Sequence, residues 1–571
     1  MKEIKILISD NKYTAWDFHN QETDAQLSLD EHPELKSINP SVDKLFSRDV
    51  FIMENGQLKF IKSYVKSATY IAGVLMLENN KTFGRTSNKK RLLYKCIPDD
   101  KYVPPFLIPY EVKVGFSKVQ KNKYVLFKFD SWTEKHPHGL LLETLGDVDN
   151  LEVFYEYQLY CKSLHVSLTD FTNKTRQELN KKTTDEYVDQ ILKNPDFKIE
   201  DRRDRYVFTI DPKTSSDYDD GYGIVRLENG EHKVSIYIAN VYLWLETLGL
   251  WDSFSRRVAT IYLPDRRRPM LPTILSDTLC SLQEKQPRFA FAMDFIVGAD
   301  GVRNIEYHNV LIHVARNYYY EEPALHDDLD YNSLLELSKK MNREVVDSHD
   351  VVAQWMVFMN MRTAELLYNH NRGVFRSVNF INPVVNTLVG MDEDTVRVIQ
   401  TWNNTIGQYV AYDGTMKVNH DFIKTKSYIH ITSPIRRLVD LLNQIVLFDE
   451  NKMVSRVSDG ANKFLNKWLG ELEYLNTSMR SIRKVQTDCA ILDKCCHNPE
   501  IMEKEYNGVM FDKMIRDNFI MSYMVYLKEL KMLCRVNIIT HVDNYATRKF
   551  KLYLFQNEEK TRKKIRLQLM E

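Results

Sequence analysis

Four aspartates, Asp211, Asp217, Asp219 and Asp220, fall within ten residues of the segment TIDPKTSSDYDDG, directly after the apolar strand-like run Tyr206–Ile210. Carboxylates this crowded repel one another, so the segment has two ways to fold. On a loop surface water screens the charge, and the segment is an acidic turn or a loose calcium loop. Folded inward, the charge must be neutralised, and hard divalent cations suit oxygen ligands; magnesium in particular keeps positions for water and substrate phosphates. The spacing misses the EF-hand pattern, which wants its glycine after the third ligand and a closing glutamate. Spacing alone leaves both foldings open.

A second segment lies about two hundred residues on. YIHITSPIRRLVD carries Tyr428, His430, Thr432, Ser433, Arg436, Arg437 and Asp440, with Pro434 placed to begin a helix and Ser433 to cap it. A guanidinium near a helix start can meet a phosphate with two parallel hydrogen bonds, and the helix dipole helps. The alternative is an arginine paired with Asp440 on a helix surface.

At 571 residues the chain exceeds what one core supports, so several domains are expected. Hydrophobic residues at 43% and charged residues at 27% are ordinary for a folded soluble protein. Lys plus Arg and Asp plus Glu number 78 each, so a polyanion would have to be held by local patches. The candidates are Lys89, Lys90, Arg91 and Lys95; Arg266 to Arg268; Arg436 with Arg437; and Arg562, Lys563, Lys564 and Arg566. Singly, each also reads as a solvated face. The seven cysteines are scattered without a CxxC pair, and Cys489, Cys495, Cys496 and His497 fit structural-zinc spacing poorly, so free thiols in a reducing compartment are expected. No secretory signal is legible at the N-terminus, and the apolar stretch Val234–Trp251 is interrupted by Asn240, Glu246 and Gly249. The expectation is a soluble, intracellular, cytoplasmic protein without a membrane association.

From Tyr70 to about Leu145, short β-branched and aromatic runs between turns read as a small β-barrel, and residues 1–69 have a weaker form of that texture. Helical spacing follows from Phe154 to about Leu192. A large mixed domain comes next, strand-like at RYVFTI and VSIYIAN and helical at Val351–Tyr368 and Phe464–Ile491, where Phe464, Leu465, Trp468, Leu469, Leu472 and Leu475 would share one helix face. From about Glu503 the alternation returns, clearest in KFKLYLF and KIRLQLM, as for a terminal barrel.

The aspartate segment and YIHITSPIRR together resemble the signature of the RNB (ribonuclease II) family of exoribonucleases. ATIYLPDRRRPMLPTILSDTLCSL (Ala259–Leu282) is similar to the family's stretch from a YLP core through PMLP to LCSL, and GDVDNLEVFYEYQLY to its junction between cold-shock barrel and catalytic domain. The resemblance runs over roughly residues 65–571. It implies a multidomain α+β chain: an abbreviated cold-shock-like region (1–68), a cold-shock/OB-type β-barrel (69–150), a helical connection (151–200), a mixed α/β RNB catalytic domain (201–498) and an S1-type OB barrel (499–571). With no PIN-type nuclease region before the barrels, the chain looks closer to the ribonuclease II, ribonuclease R and Dis3-like types than to the two-nuclease exosome subunit.

The resemblance further implies 3′-to-5′ hydrolysis of single-stranded RNA with a free 3′ end to nucleoside 5′-monophosphates, by a monomer using two magnesium ions, with manganese as a substitute. Asp211, Asp217, Asp219 and Asp220 would bind metal, Asp219 and Asp220 would be catalytic, and Arg436 would contact the scissile phosphate. Tyr262 resembles the aromatic that packs on bases near the RNA 3′ end, and Tyr319 the tyrosine that helps fix product length, in a run of three tyrosines that blurs the register. Arg437 and Gln354 complete the expected RNA contacts. The sequence departs from the family where Ala353 and Gln354 replace an acidic pair that helps read the terminal ribose, where Asn240 replaces an aspartate, and where Ser377 and Val378 replace an expected histidine. The competing expectation is a catalytically inactive RNA-binding scaffold with the same fold.

Overall fold

The structure, a computed structural model, describes residues 3–78, 81–86, 90–111, 120–378, 391–421, 423–515, 520–558 and 561–570. Lys89 of the first basic patch lies outside them. The chain divides into two compact units, residues 1–165 with 485–571, and residues 166–484.

The first unit begins with β1 (Ile4–Ile8), β2 (Trp16–Asn20), β3 (Val50–Glu54) and β4 (Gln57–Lys62), an antiparallel sheet in the order β2-β1-β3-β4. Alternate residues Ile4, Ile6 and Ile8 bury against Phe18, Leu35 and Phe51. The turn from β3 to β4 sits at Asn55 and Gly56, both at positive φ (53° and 75°), the conformation whose twist matches paired strands. β4 is exposed along nearly its whole length, so nothing closes the sheet. The expected abbreviated barrel is therefore an open sheet, because its last strand lacks the inward apolar residues that closure needs.

β5 (Ile71–Leu75), β6 (Leu92–Pro98), β7 (Phe106–Tyr110), β8 (Lys123–Ser131) and β9 (His138–Asp147) do close, in the order β5-β6-β7-β9-β8. Leu75, Cys96, Phe106, Ile108, Val125 and Phe127 fill the interior. Gly73 is required there, since a Cβ would lie 2.7 Å from the Ile97 carbonyl oxygen. α1 (Leu151–Cys161), capped by Asn150, packs on the barrel through Tyr157 stacked on Tyr124 at 4.2 Å.

The second unit opens with α2 (Thr169–Leu179) and α3 (Thr184–Lys193), the latter started by a reciprocal Thr183–Glu186 capping box. Its framework is a seven-stranded mixed sheet made of β10 (Ile199–Arg202), β11 (Phe208–Asp211), β12 (Asp220–Arg226) and β13 (His232–Ala239), then, after α4 (Val241–Thr247) and the short pair β14 (Ile261–Tyr262) and β15 (Arg267–Arg268), of β16 (Pro287–Gly298), β17 (Gly301–His313) and β18 (Arg316–Tyr319). The order is β10-β17-β16-β13-β12-β11-β18. Central β13 and β16 are buried on both faces, which is why they read as nearly continuous apolar runs.

α5 (Leu329–Met341), α6 (Ser348–Asn369), β19 (Val374–Ser377), α7 (Glu393–Ile406), β20 (Gln408–Ala411), α8 (Leu438–Glu450), α9 (Asp459–Leu469) and α10 (Leu472–His497) follow. Every residue of α8 from Leu438 to Phe448 is buried, and its Gln444 is keyed to the sheet by accepting from the Tyr242 amide and donating to the Ala239 carbonyl. The single helix expected over Phe464–Ile491 is two, parted at Gly470. Phe464, Leu465, Trp468 and Leu475 are buried, whereas Leu469 and Leu472 flank the break and are half-exposed.

β21 (Glu505–Ile515), β22 (Met521–Leu527), β23 (Met532–Ile538), β24 (Thr547–Gln556) and β25 (Lys563–Leu569) return to the first unit as a five-stranded antiparallel sheet, β23-β22-β21-β24-β25, whose edges β23 and β25 approach each other in the manner of an OB barrel. Among the described residues no helix is long and apolar enough to cross a membrane.

Candidate active site

Asp211 is the last residue of β11 and Asp220 the first of β12, so two adjacent strands deliver both carboxylates to one end of the sheet. The intervening segment is pinned by its backbone. The Asp219 carbonyl accepts from the Ala239 amide at 2.8 Å, the Tyr218 carbonyl accepts from Leu282 at 3.0 Å, the Tyr218 amide donates to Ser281 Oγ at 3.0 Å, and the Asp211 carbonyl accepts from Tyr320 at 3.2 Å. The LCSL segment thus serves as a clamp on the acidic loop. The segment folds inward: Asp219 is 2% exposed.

Burial without enough positive charge leaves these acids reluctant to ionise. Asp219 is pushed up to about 8 by burial, against the pull of Arg436 and the Ile435 amide. Asp220 is pushed up to about 6, again by burial, while its Oδ2 accepts from the Tyr222 hydroxyl at 2.9 Å. Asp211 is held well above the carboxylate range by burial first and then by the charges of Asp220 and Asp219, and its Oδ2 is buried without a hydrogen-bond partner. Such an orphaned, desolvated oxygen fits a cation ligand.

Arg436 meets this cluster across 217 positions of sequence: its Nε donates to Asp219 Oδ2 at 3.1 Å, the Ile435 amide donates to Asp219 Oδ1 at 2.9 Å, and its Nη2 donates to Ser433 Oγ at 2.8 Å. The arginine does not stand at a helix start. α8 begins at Leu438 rather than at Pro434, because the Arg436 carbonyl accepts from Thr260, Leu438 donates to the Val258 carbonyl, and Arg437 bridges Ala259, which holds Arg437 in extended backbone after a turn at Pro434–Arg436. Arg437 makes the pairing with Asp440 at 2.8 Å, and Asp440 Oδ1 also accepts from the Ser433 amide. That ion pair is buried rather than on a helix surface, and it holds the turn that aims Arg436.

Asp217 stands apart from the other three. Its Oδ1 lies 2.6 Å from Arg267 Nη1, and its Oδ2 accepts from the Tyr262 hydroxyl at 3.3 Å. Arg267 also pairs with Asp277, and Arg268 with Asp265, so these two members of the 266–268 run are turned inward onto acids. Tyr262 keeps its ring 43% exposed beside the cluster. Among the described residues, no three His, Cys, Asp or Glu side chains converge as a ready-made cation cage.

The three tyrosines part where β18 ends. Tyr318 donates to Asp328, and the Tyr319 ring lies 5.4 Å from Lys213 Nζ. Tyr320, which the sequence did not single out, is the one whose hydroxyl feels Asp220, Asp211 and Arg436, and it stacks on His349 at 3.8 Å. Gln354 turns its amide to the Ser338 carbonyl at 3.2 Å, onto α5. Tyr428 is buried and accepts from Asn360, and half-buried His430 bonds Tyr409. Asn240 caps α4 and donates to Asn309, a role its neutral amide fills without burying charge.

Residues 199–325, from β10 through the tyrosine run and including all four aspartates, match the RNB domain. The chain thus carries an RNB domain over these residues. Among its relatives, DIS3-like exonuclease 2 of Schizosaccharomyces pombe is 24% identical over 44% of this chain, and ribonuclease R of Aquifex aeolicus is 28% identical over 37% of it. The matched segments span 29% and 30% of those proteins' lengths. In fold, the chain is similar to Mycoplasma genitalium RNase R in complex with ribose-methylated single-stranded RNA, with a TM-score of 0.69 and 16% identity over 99% of this chain and 100% of that one. It is also similar to yeast Ssd1, a pseudonuclease, with a TM-score of 0.57 and 12% identity over 96% and 80%.

Proposed function

We propose that this chain is an exoribonuclease that shortens single-stranded RNA from a free 3′ end, hydrolysing it to nucleoside 5′-monophosphates with the help of divalent cations. The observation that carries the reading is the crowded trio of buried Asp219 with half-buried Asp211 and Asp220, and the Arg436 guanidinium against Asp219. Asp211 and Asp220 would hold the cations directly, with Asp217 and Asp219 completing the set once Arg267 and Arg436 turn toward the negatively charged RNA. Bound magnesium, in a two-ion arrangement or with manganese in its place, supplies Lewis-acid polarisation of the phosphate and a nucleophilic water at neutral pH.

The rest falls to the protein. Arg436 Nη1 makes no protein hydrogen bond among the described residues and the side chain is 42% exposed, so the guanidinium can donate to a phosphate oxygen and offset the charge that grows there. Ser433 and the Arg437–Asp440 pair keep it aimed. Tyr262 offers an exposed ring for the terminal bases, and stacking tolerates any base. Tyr320 and Tyr319 would bound the end of the path. Gln354 would contact RNA only after leaving Ser338. The OB-type barrels, as cold-shock and S1 modules, would grip the single strand.

The second reading is an RNA-binding scaffold without turnover. It is favoured by one feature: Arg436 and Arg267 already occupy oxygens of Asp219 and Asp217. The likeness in fold to a pseudonuclease accords with it. The two readings separate in one assay, in which 5′-labelled single-stranded RNA is incubated with magnesium and either the parent or Asp219→Asn. Progressive 3′ shortening by the parent alone supports the nuclease, and binding without shortening by both supports the scaffold.

A further inference from the structure

The basic tail of the sequence ends up on the C-terminal barrel, paired with an aromatic strand. β24 and β25 run antiparallel with Tyr553 opposite Arg566 and Phe555 opposite Lys564. Alternation sends Phe550, Leu552, Ile565 and Leu567 into the core. The other parity, Lys549, Lys551, Tyr553 and Phe555 on β24 with Lys564 and Arg566 on β25, forms the outer face. Tyr553 is 41% exposed, and the Arg566 guanidinium carbon lies 3.6 Å from the centre of the Phe555 ring. The carboxylates paired with this face are Glu505, 3.9 Å from Lys549, and Asp488, 3.4 Å from Lys564, both exposed contacts that hold their lysines weakly. Among the described residues, four cations thus face two acids.

Single strands commonly lie on the second and third strands of an OB barrel. Here β22 is buried on both faces from Ser522 to Leu527, so that route is closed. We infer that the outer face of β24 and β25 is a separate binding surface for single-stranded RNA. Bases stack on Tyr553 and on the Arg566–Phe555 pair, and Lys549, Lys551 and Lys564 line the phosphates. Outward side chains recur about every 6.6 Å along a strand, a step close to the phosphate spacing of an extended nucleic acid. An acidic protein would use the cations but not the alternating ring planes. That the polyanion is RNA rests on the function proposed above, whereas the surface itself does not.

The test is fluorescence anisotropy with the full chain in EDTA and a fluorescein-labelled oligouridylate of about 20 nucleotides, enough to span an OB-type site. The parent is compared with Tyr553→Ala, Tyr553→Phe and the double variant Lys551→Glu/Arg566→Glu, each checked for an unchanged melting profile. Tyr553→Ala should weaken binding about tenfold while Tyr553→Phe retains it. The double variant should weaken it further and flatten its salt dependence. In magnesium, trimming by Tyr553→Ala should show a raised KM with kcat unchanged. Folded variants that bind within about twofold of the parent overturn the inference. So does loss in the charge variant alone with polyglutamate competing as well as RNA, which marks an acidic-protein surface. A parent that binds with these dependences but trims nothing sinks the nuclease and leaves this surface standing; a parent that trims, with variants indistinguishable from it, does the reverse.

Discussion

Asp219 should make the cation-free protein lose stability as pH rises. Its proton affinity in the folded chain corresponds to about 8 against an ordinary 3.8, so between about pH 4 and pH 8 the folded state binds a proton that the unfolded chain has released. Stability therefore falls with pH across that window, since it falls wherever the folded state holds more protons. The gap of about four tenfold steps, at about 1.4 kcal/mol each, sets an upper limit of about 6 kcal/mol. Asp220, pushed up to about 6, and Asp211 act in the same direction. Asn at position 219 carries no charge to desolvate, so Asp219→Asn should flatten the profile. It keeps an oxygen to accept from the Ile435 amide, and Arg436 retains water on its exposed side. The assay is the melting temperature of parent and variant from pH 5 to pH 8 in EDTA and in excess magnesium. In EDTA the parent should lose on the order of 5 °C more than the variant, and magnesium should restore it. Parallel profiles for the two proteins in EDTA would refute the reasoning.

Other perturbations separate chemistry from scaffolding. Arg436→Lys keeps the charge but loses the forked geometry, and single-turnover trimming should fall about 100- to 1,000-fold with RNA affinity nearly unchanged. Tyr262→Ala should cost about 1 to 3 kcal/mol of RNA binding, read as a raised KM, while Tyr262→Phe should be close to the parent. Arg437→Met strands buried Asp440, so it should destabilise the protein by about 3 to 5 kcal/mol in thermal or denaturant melts.

What the sequence made legible follows local rules. The strand before Asp211, the alternation of the barrels and the crowding of four aspartates into ten residues depend on neighbours within a few residues. What it hid depends on distant partners. The start of α8 is set by backbone bonds between Val258–Thr260 and Arg436–Leu438, which no local cap signal reveals. Arg267 looked like part of a basic patch, yet Asp217 and Asp277 turn it inward. Tyr320 rather than Tyr319 faces the carboxylates, because it lies just past the end of β18, where its amide donates to the Asp211 carbonyl, a placement that three identical residues conceal. The break at Gly470 was readable, since glycine is a poor interior helix residue, but the apolar stripe on either side outweighed it.

The claim beneath all of this is that desolvated carboxylates at the ends of β11 and β12 persist because divalent ions accompany them. Anomalous diffraction from crystals soaked in manganese tests it directly. The account predicts density about 2.0 to 2.2 Å from oxygens of Asp211 and Asp220. Crystals with ordered side chains there and no anomalous peak between them would contradict it.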